Sequence, residues 1–189
     1  MLQIFIKMKQ RNLNYIISGV LILFAAILKV ATFPNSFNPI IAISLFSGVI
    51  IKDKKFAFAI PLLAMFTSDI MLEVFNITSG FYGMSQVGNY ASLLFITVLG
   101  FTMKKSSIVH IGGYTILSSI IFFFLSNTNC FFFDNANYYG SGISGWTNCL
   151  IAGIPFVKNG MITDLFFSAV LFGSYILFVK SNQKRIIAG

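Results

Sequence analysis

The sequence predicts an all-α polytopic membrane protein: six transmembrane helices, both termini cytoplasmic, and a short interfacial or re-entrant segment before helix six. Three observations predict it. Apolar runs recur along the chain, and most approach the roughly 20 residues that cross a bilayer. Charged residues make up only 10% of the 189 positions, against about 25% in soluble domains, and mean hydropathy is +0.85. So thin a charged coat cannot cover a water-soluble globule of this size, so the solvent is largely lipid. Third, the basic residues fall at alternate connections between the runs, as the positive-inside rule requires. The net charge of +8 therefore reflects topology; clusters of two or three lysines between long apolar runs do not make a nucleic-acid face.

Taken in order, residues 1–12 are short and basic, with Lys7, Lys9 and Arg11. The run at 13–31 is longer than a signal-peptide core and ends near Lys29, so it reads as an uncleaved first helix. Two prolines and two asparagines between residues 32 and 39 break it. The second helix, 38–51, is short for a span and closes at Lys52-Asp53-Lys54-Lys55. The third, 56–76, is apolar for a dozen residues and then carries Thr67, Ser68, Asp69 and Glu73. The fourth, 86–103, ends at Lys104-Lys105, and the fifth, 108–133, is long and Phe-rich. A polar stretch then leads to an apolar segment at 146–156, too short to cross a bilayer and ended by Pro155. The sixth helix, 159–179, stops before Lys180, Lys184 and Arg185. The whole chain, 1–189, makes one integral membrane domain. Alternating connections put eleven of the thirteen basic residues on one side, leaving Lys29 and Lys158 on the other.

That orientation gives each polar group a depth. Asp69 and Glu73 are four apart, one turn from each other on one helix face, in the outer half of helix three. A carboxylate near the centre of a span costs roughly 2.5–3.5 kcal/mol on insertion scales, so two in a chain with five acids need partners or a wet cavity. Asp164, Asn38, Asn89, Asn129 and Asn159 fall in the same outer third. A cavity facing outward accounts for this, with Asn38, Asp69, Glu73, Tyr82, Asn89, Asn129, Trp146, Asn159 and Asp164 as candidate ligand-binding residues. Two other readings stand beside it. Polar groups near helix ends can snorkel to the headgroups, and Lys29 or Lys158 can form a structural pair with Asp69 or Asp164. Tyr82 and Trp146 suit an aromatic belt as well as a pocket.

Catalytic signals are lacking. One histidine, His110, lies near the cytoplasmic lysines, across the membrane from the acids, so no nucleophile–base pair can be named. Neither metal-ligand spacing nor a phosphate or nucleotide motif occurs, so no enzyme, metal or cofactor is expected. Cys130 and Cys149 fall on the outer side, where either a disulfide or two plain core residues would be stable.

Residues 37–48, FNPIIAISLFSG, resemble the NF-x-P-x-x-A-x-x-LFGG pattern of an uncharacterised bacterial family of small integral membrane proteins. Pro61-Leu62, Ala64 and Ser68-Asp69 resemble its PL-x-A-x-x-x-SD helix. Cys149, Ala152, Ile154-Pro155-Phe156, Asn159, Asp164-Leu165 and Leu171-Phe172-Gly173 resemble its closing pattern. More loosely, the chain is similar to the S components of energy-coupling-factor transporters, six-helix proteins that hold a vitamin or cofactor precursor in an outward pocket. Helix one differs from theirs, since Ala25-Ala26 do not give the Ala-x-x-x-Ala docking spacing. The likeness implies a substrate-binding transport protein of the bacterial inner membrane, with the lipid bilayer, a small-molecule ligand and a coupling subunit with ATPases as partners. The alternative is a non-transporting subunit or assembly factor of a larger membrane complex. Neither implies a nucleic-acid partner.

Overall fold

The computed structural model describes residues 20–33, 37–105, 107–133 and 138–187, with side chains up to Leu177. The expected start of the first helix at 13–19, and Lys7, Lys9 and Arg11, lie outside these residues. Every regular element described is helical: α1 (Val20–Ala31), α2 (Ile40–Ile50), α3 (Lys54–Val74), α4 (Met84–Thr102), α5 (Ile108–Phe132) and α6 (Gly142–Ile187). Four are long and apolar enough to cross a membrane: α3, α4, α5 and the Gly142–Leu177 part of α6. Large apolar side chains stand exposed along them, among them Leu63, Phe66, Phe95, Val98, Leu117 and Phe166. In water such a surface would aggregate; against acyl chains it is a normal exterior.

The helix at the centre is the short one. α2 has 11 residues, about 16 Å of rise against a hydrocarbon thickness of about 30 Å. Ile40, Ala42, Ile43, Ser44, Leu45, Phe46, Ser47 and Gly48 are all buried, so nearly its whole circumference is covered. It packs against α3, α4, α5 and α6, while α3 touches α2 and α4, and α6 touches α5 and α2. Close approach to α4 depends on glycine. A Cβ on Gly48 would fall within 3.0 Å of the Thr97 carbonyl oxygen, and one on Gly100 within 3.0 Å of the Leu45 carbonyl oxygen and the Gly48 Cα. Ring contacts fix the direction of packing. Phe37 meets Phe166 and Phe167, and further along Phe46 meets Phe172 and Tyr175, so α2 and α6 run parallel.

Local chemistry sets the ends. Asp53 caps α3 by accepting from the Lys55 amide at 2.9 Å, and the Ser107 hydroxyl caps α5, accepting from the His110 amide at 3.4 Å. His110 itself is exposed at that helix start, its Nδ1 2.7 Å from the same hydroxyl.

Pro155 does not end a segment. Residues 146–156, expected as a separate piece, are the first part of α6, which continues through the proline for 46 residues. Contacts to α5 hold that part in line: the Trp146 indole donates to Thr128 Oγ1 at 3.0 Å, and the Cys149 thiol donates to the Asn127 carbonyl at 3.3 Å. Gly153 lies so near Asn127 that a Cβ there would meet its amide oxygen at 2.5 Å. At 1.5 Å per residue α6 is about 69 Å long, more than twice a hydrocarbon core, so part of it extends beyond a bilayer or runs along its surface. Cys130 is exposed and is not bridged to Cys149.

Replacing Gly48 by Ala forces a backbone shift at the α2–α4 crossing and should cost about 1–3 kcal/mol. Gly112→Ala, where nothing lies within 4 Å of the added carbon, should be neutral or slightly stabilising. Thermal unfolding of both variants in detergent checks this; equal melting temperatures would refute the tight crossing.

Candidate functional site: a buried carboxylate under the α3–α4 loop

Asp69 sits four turns into α3, on the face that Ala57, Ile60, Ala64, Ser68 and Leu72 also bury, and it is 1% exposed. Its carboxylate collects three donors. Lys29 of α1 forms an ion pair with Oδ1; Gln86 Nε2 and the Tyr90 hydroxyl, both of α4, donate to Oδ2 at 2.7 Å each. Gln86 and Tyr90 are four apart, so one face of α4's first two turns presents both to the acid. The Lys29 ammonium also reaches Met65 Sδ at 3.3 Å. An ion pair with further hydrogen bonds on the acid is the arrangement that makes a charge tolerable in a low-dielectric interior.

The loop from Phe75 to Gly83 folds back over this cluster. Asn76 takes a positive φ of 54°, which turns the chain at the end of α3. Gly80 then packs against the Asp69 backbone so closely that a Cβ would collide with the carbonyl oxygen. Its amide donates to Glu73 Oε2 at 2.6 Å, and its carbonyl accepts from Gln86 Nε2 at 3.0 Å. Gln86 thus ties loop, acid and helix together. Beside it, Asn89 Nδ2 donates to the Tyr82 hydroxyl at 3.2 Å, while Asn89 Oδ1 is buried with no hydrogen-bond partner. The Tyr82 phenol titrates above its ordinary 10.0, chiefly because it is partly withdrawn from water; the Asn89 amide acts the other way, and the Asp69 charge adds to the rise.

Of the residues expected to bind, Asp69, Glu73, Tyr82 and Asn89 meet here. The others are spread along the bundle. Asn38 Oδ1 accepts from the Ile40 amide at 3.3 Å at the start of α2. Asn129 of α5 donates to the Ser85 carbonyl and, at 3.3 Å, to its hydroxyl. Trp146 pins α6 to α5, and Asn159 is exposed, its carbonyl accepting from Thr163 Oγ1 at 2.9 Å. Asp164 is 3% exposed and accepts from Ser119 Oγ at 2.7 Å. The ring of Phe24 meets that of Phe167. A groove of about 450 Å³ opens between α4 and α5, its lining including Ala91, Phe95, Leu125, Asn129 and Phe132. Among the described residues no group of three or more His, Cys, Asp or Glu could hold a metal.

A family model matches residues 9–186, nearly the whole chain. The protein belongs to the family of unknown function DUF6580. No curated protein and no solved structure matches it. In this DUF6580 chain Lys29 and Asp69 form the structural pair that the sequence offered beside a ligand site, and Gln86 and Tyr90, which complete the cluster, were not among the candidate ligand-binding residues. The 86/89/90 spacing on one helix face, opposite an acid that needs donors, was the available signal.

Removing one partner of a buried pair strands the other charge. Asp69→Leu should therefore destabilise by about 3–5 kcal/mol, and the double replacement Lys29→Met with Asp69→Leu by less than that single change. Chemical unfolding of the four species of that cycle checks the coupling; additive effects would mean that the pair is not formed.

Proposed function

We propose that this protein is a membrane transport protein of the bacterial inner membrane that binds a small polar molecule, of vitamin or cofactor-precursor class, in the manner of an S component. The binding site is the cluster of Lys29, Asp69, Gln86, Asn89 and Tyr90 beneath the loop from Phe75 to Gly83. The observation that carries the reading is the amide oxygen of Asn89: a buried acceptor, left without a hydrogen, beside a set of strong donors and one carboxylate. A ligand with N–H or O–H groups satisfies it, and the adjoining Lys29–Asp69 pair offers such a ligand a cation and an anion side by side. The loop acts as the cover. Its two ties, Gly80 to Glu73 and Gly80 to Gln86, are hydrogen bonds that can be exchanged as it lifts.

Orientation is part of the reading. With eleven of thirteen basic residues at alternate connections, the loop and the acids face outward and both termini face the cytosol. The parallel course of α2 and α6 agrees with that alternation. In this reading, since no nucleotide motif occurs in the chain, the ATPases belong to a separate coupling subunit.

A second reading, a non-transporting subunit or assembly factor, draws on a different observation: three donors already satisfy Asp69, so the acid is stable with nothing bound. Native mass spectrometry of the purified full chain separates the two. Transport predicts a co-purifying small molecule, bound about tenfold or more weakly by Asn89→Leu, the loss of roughly one hydrogen bond. A stoichiometric protein partner with no small molecule would overturn it in favour of the second reading.

A further inference from the structure

The second buried acid is held differently. Asp164 lies on α6, and the one side chain that donates to it among the described residues is Ser119, at 2.7 Å. That hydroxyl is also 3.0 Å from the Thr115 carbonyl. A serine hydroxyl has one hydrogen and cannot serve both acceptors. If it points at Asp164, an ionised carboxylate is left in an apolar interior with a single neutral donor; if it points at Thr115, the carboxylate has none.

Neighbouring charge does not resolve this. α2 carries no titratable residue. On α5, His110 is exposed and paired with Ser107, Tyr114 is within 3.1 Å of Thr102 Oγ1, and Cys130 is exposed eleven residues beyond Ser119. Lys29 of α1 is committed to Asp69, and Lys158 of α6 is exposed, six residues from Asp164. One turn along the same face of α6, Ser168 is 1% exposed and its hydroxyl has no hydrogen-bond partner. A hydroxyl in that position ordinarily bonds back to the carbonyl four residues earlier, which here is that of Asp164.

We propose that Asp164, Ser119 and Ser168 form a site for one small cation, a sodium ion or a proton, distinct from the Asp69 cluster. A positive charge on the Asp164 oxygens lets Ser119 give its hydrogen to the Thr115 carbonyl while its lone pair faces the cation or accepts the acid's proton. For a sodium ion, the unpartnered Ser168 oxygen, on the same face of α6, is a further ligand. Oxygen ligands of this kind suit a hard ion. The inference stands on Asp164 alone and does not depend on a ligand at Asp69.

The test is thermal unfolding of the full chain in detergent, with NaCl exchanged for choline chloride at constant ionic strength, at pH 6 and pH 8. If the ion is sodium, it raises the melting temperature saturably, by about 2–4 °C, and Asp164→Asn abolishes the rise. If the ion is a proton, sodium has no effect. A proton held by the folded chain and released on unfolding stabilises more as pH falls, so the wild type gains on going from pH 8 to pH 6 and Asp164→Asn does not share that gain. Should Asp164→Asn fail to fold, Ser119→Ala weakens either response and Ser168→Ala the sodium response while leaving the acid in place, and Gly112→Ala, where nothing lies within 4 Å of the added carbon, leaves both intact. Equal sodium and pH responses in wild type and all of these site variants would overturn the proposal.

Discussion

A carboxylate in hydrocarbon has to be answered by donors, and Asp69 makes that demand from inside α3. What answers it explains much of the arrangement around it. Lys29 must reach across from α1, so α1 lies beside α3 at that level. Gln86 and Tyr90 must face the acid, which sets the rotation of α4 about its own axis. The loop between α3 and α4 must return over the acid, because Gln86 bonds both Asp69 and Gly80. Apolar packing alone would leave these choices open, since lipid tails are as good a neighbour as leucine and exert no hydrophobic drive between helices in a membrane.

Close packing around α2 provides the complementary constraint. α2 is too short to cross a bilayer and is covered nearly all round, so its neighbours must wrap it. Gly48 and Gly100 let its backbone and that of α4 approach to where no side chain fits. The aromatic rings of Phe37 and Phe46 then align it with α6. Polar donors position α1, α3 and α4, whereas small residues and rings position α2 and α6.

The sequence made some of this legible and hid the rest, for identifiable reasons. Long apolar runs flanked by lysines marked α3, α4 and α5 to within a few residues, since hydropathy and flanking charge both act locally. Pro155 misled, because a proline in a sequence looks the same whether its lost hydrogen bond breaks a helix or is tolerated within one held by a neighbour; the contacts of Trp146 and Cys149 with α5 decide it, and those are non-local. Lys29 read equally well as a snorkelling residue, and only the approach of α1 to α3 makes it a partner. Gln86 stood in the sequence only as the start of the fourth helix. Asp69 stood out in the sequence because its cost is intrinsic, whereas its donors become visible only when the helices are set side by side.

The two buried acids end in contrasting situations. In the described interior one lysine is paired, and it lies with Asp69. The bundle therefore contains a neutral pair on the α1–α3–α4 side and a single acid on the α5–α6 side, where Ser119 alone donates. A pair is insensitive to small ions, because its charges already compensate each other. A lone acid is not, since any cation that reaches it relieves a cost of several kcal/mol per ion. The polar groups of this protein thus divide by chemistry: one cluster whose charges and hydrogen bonds answer one another, and one acid met by a single hydroxyl.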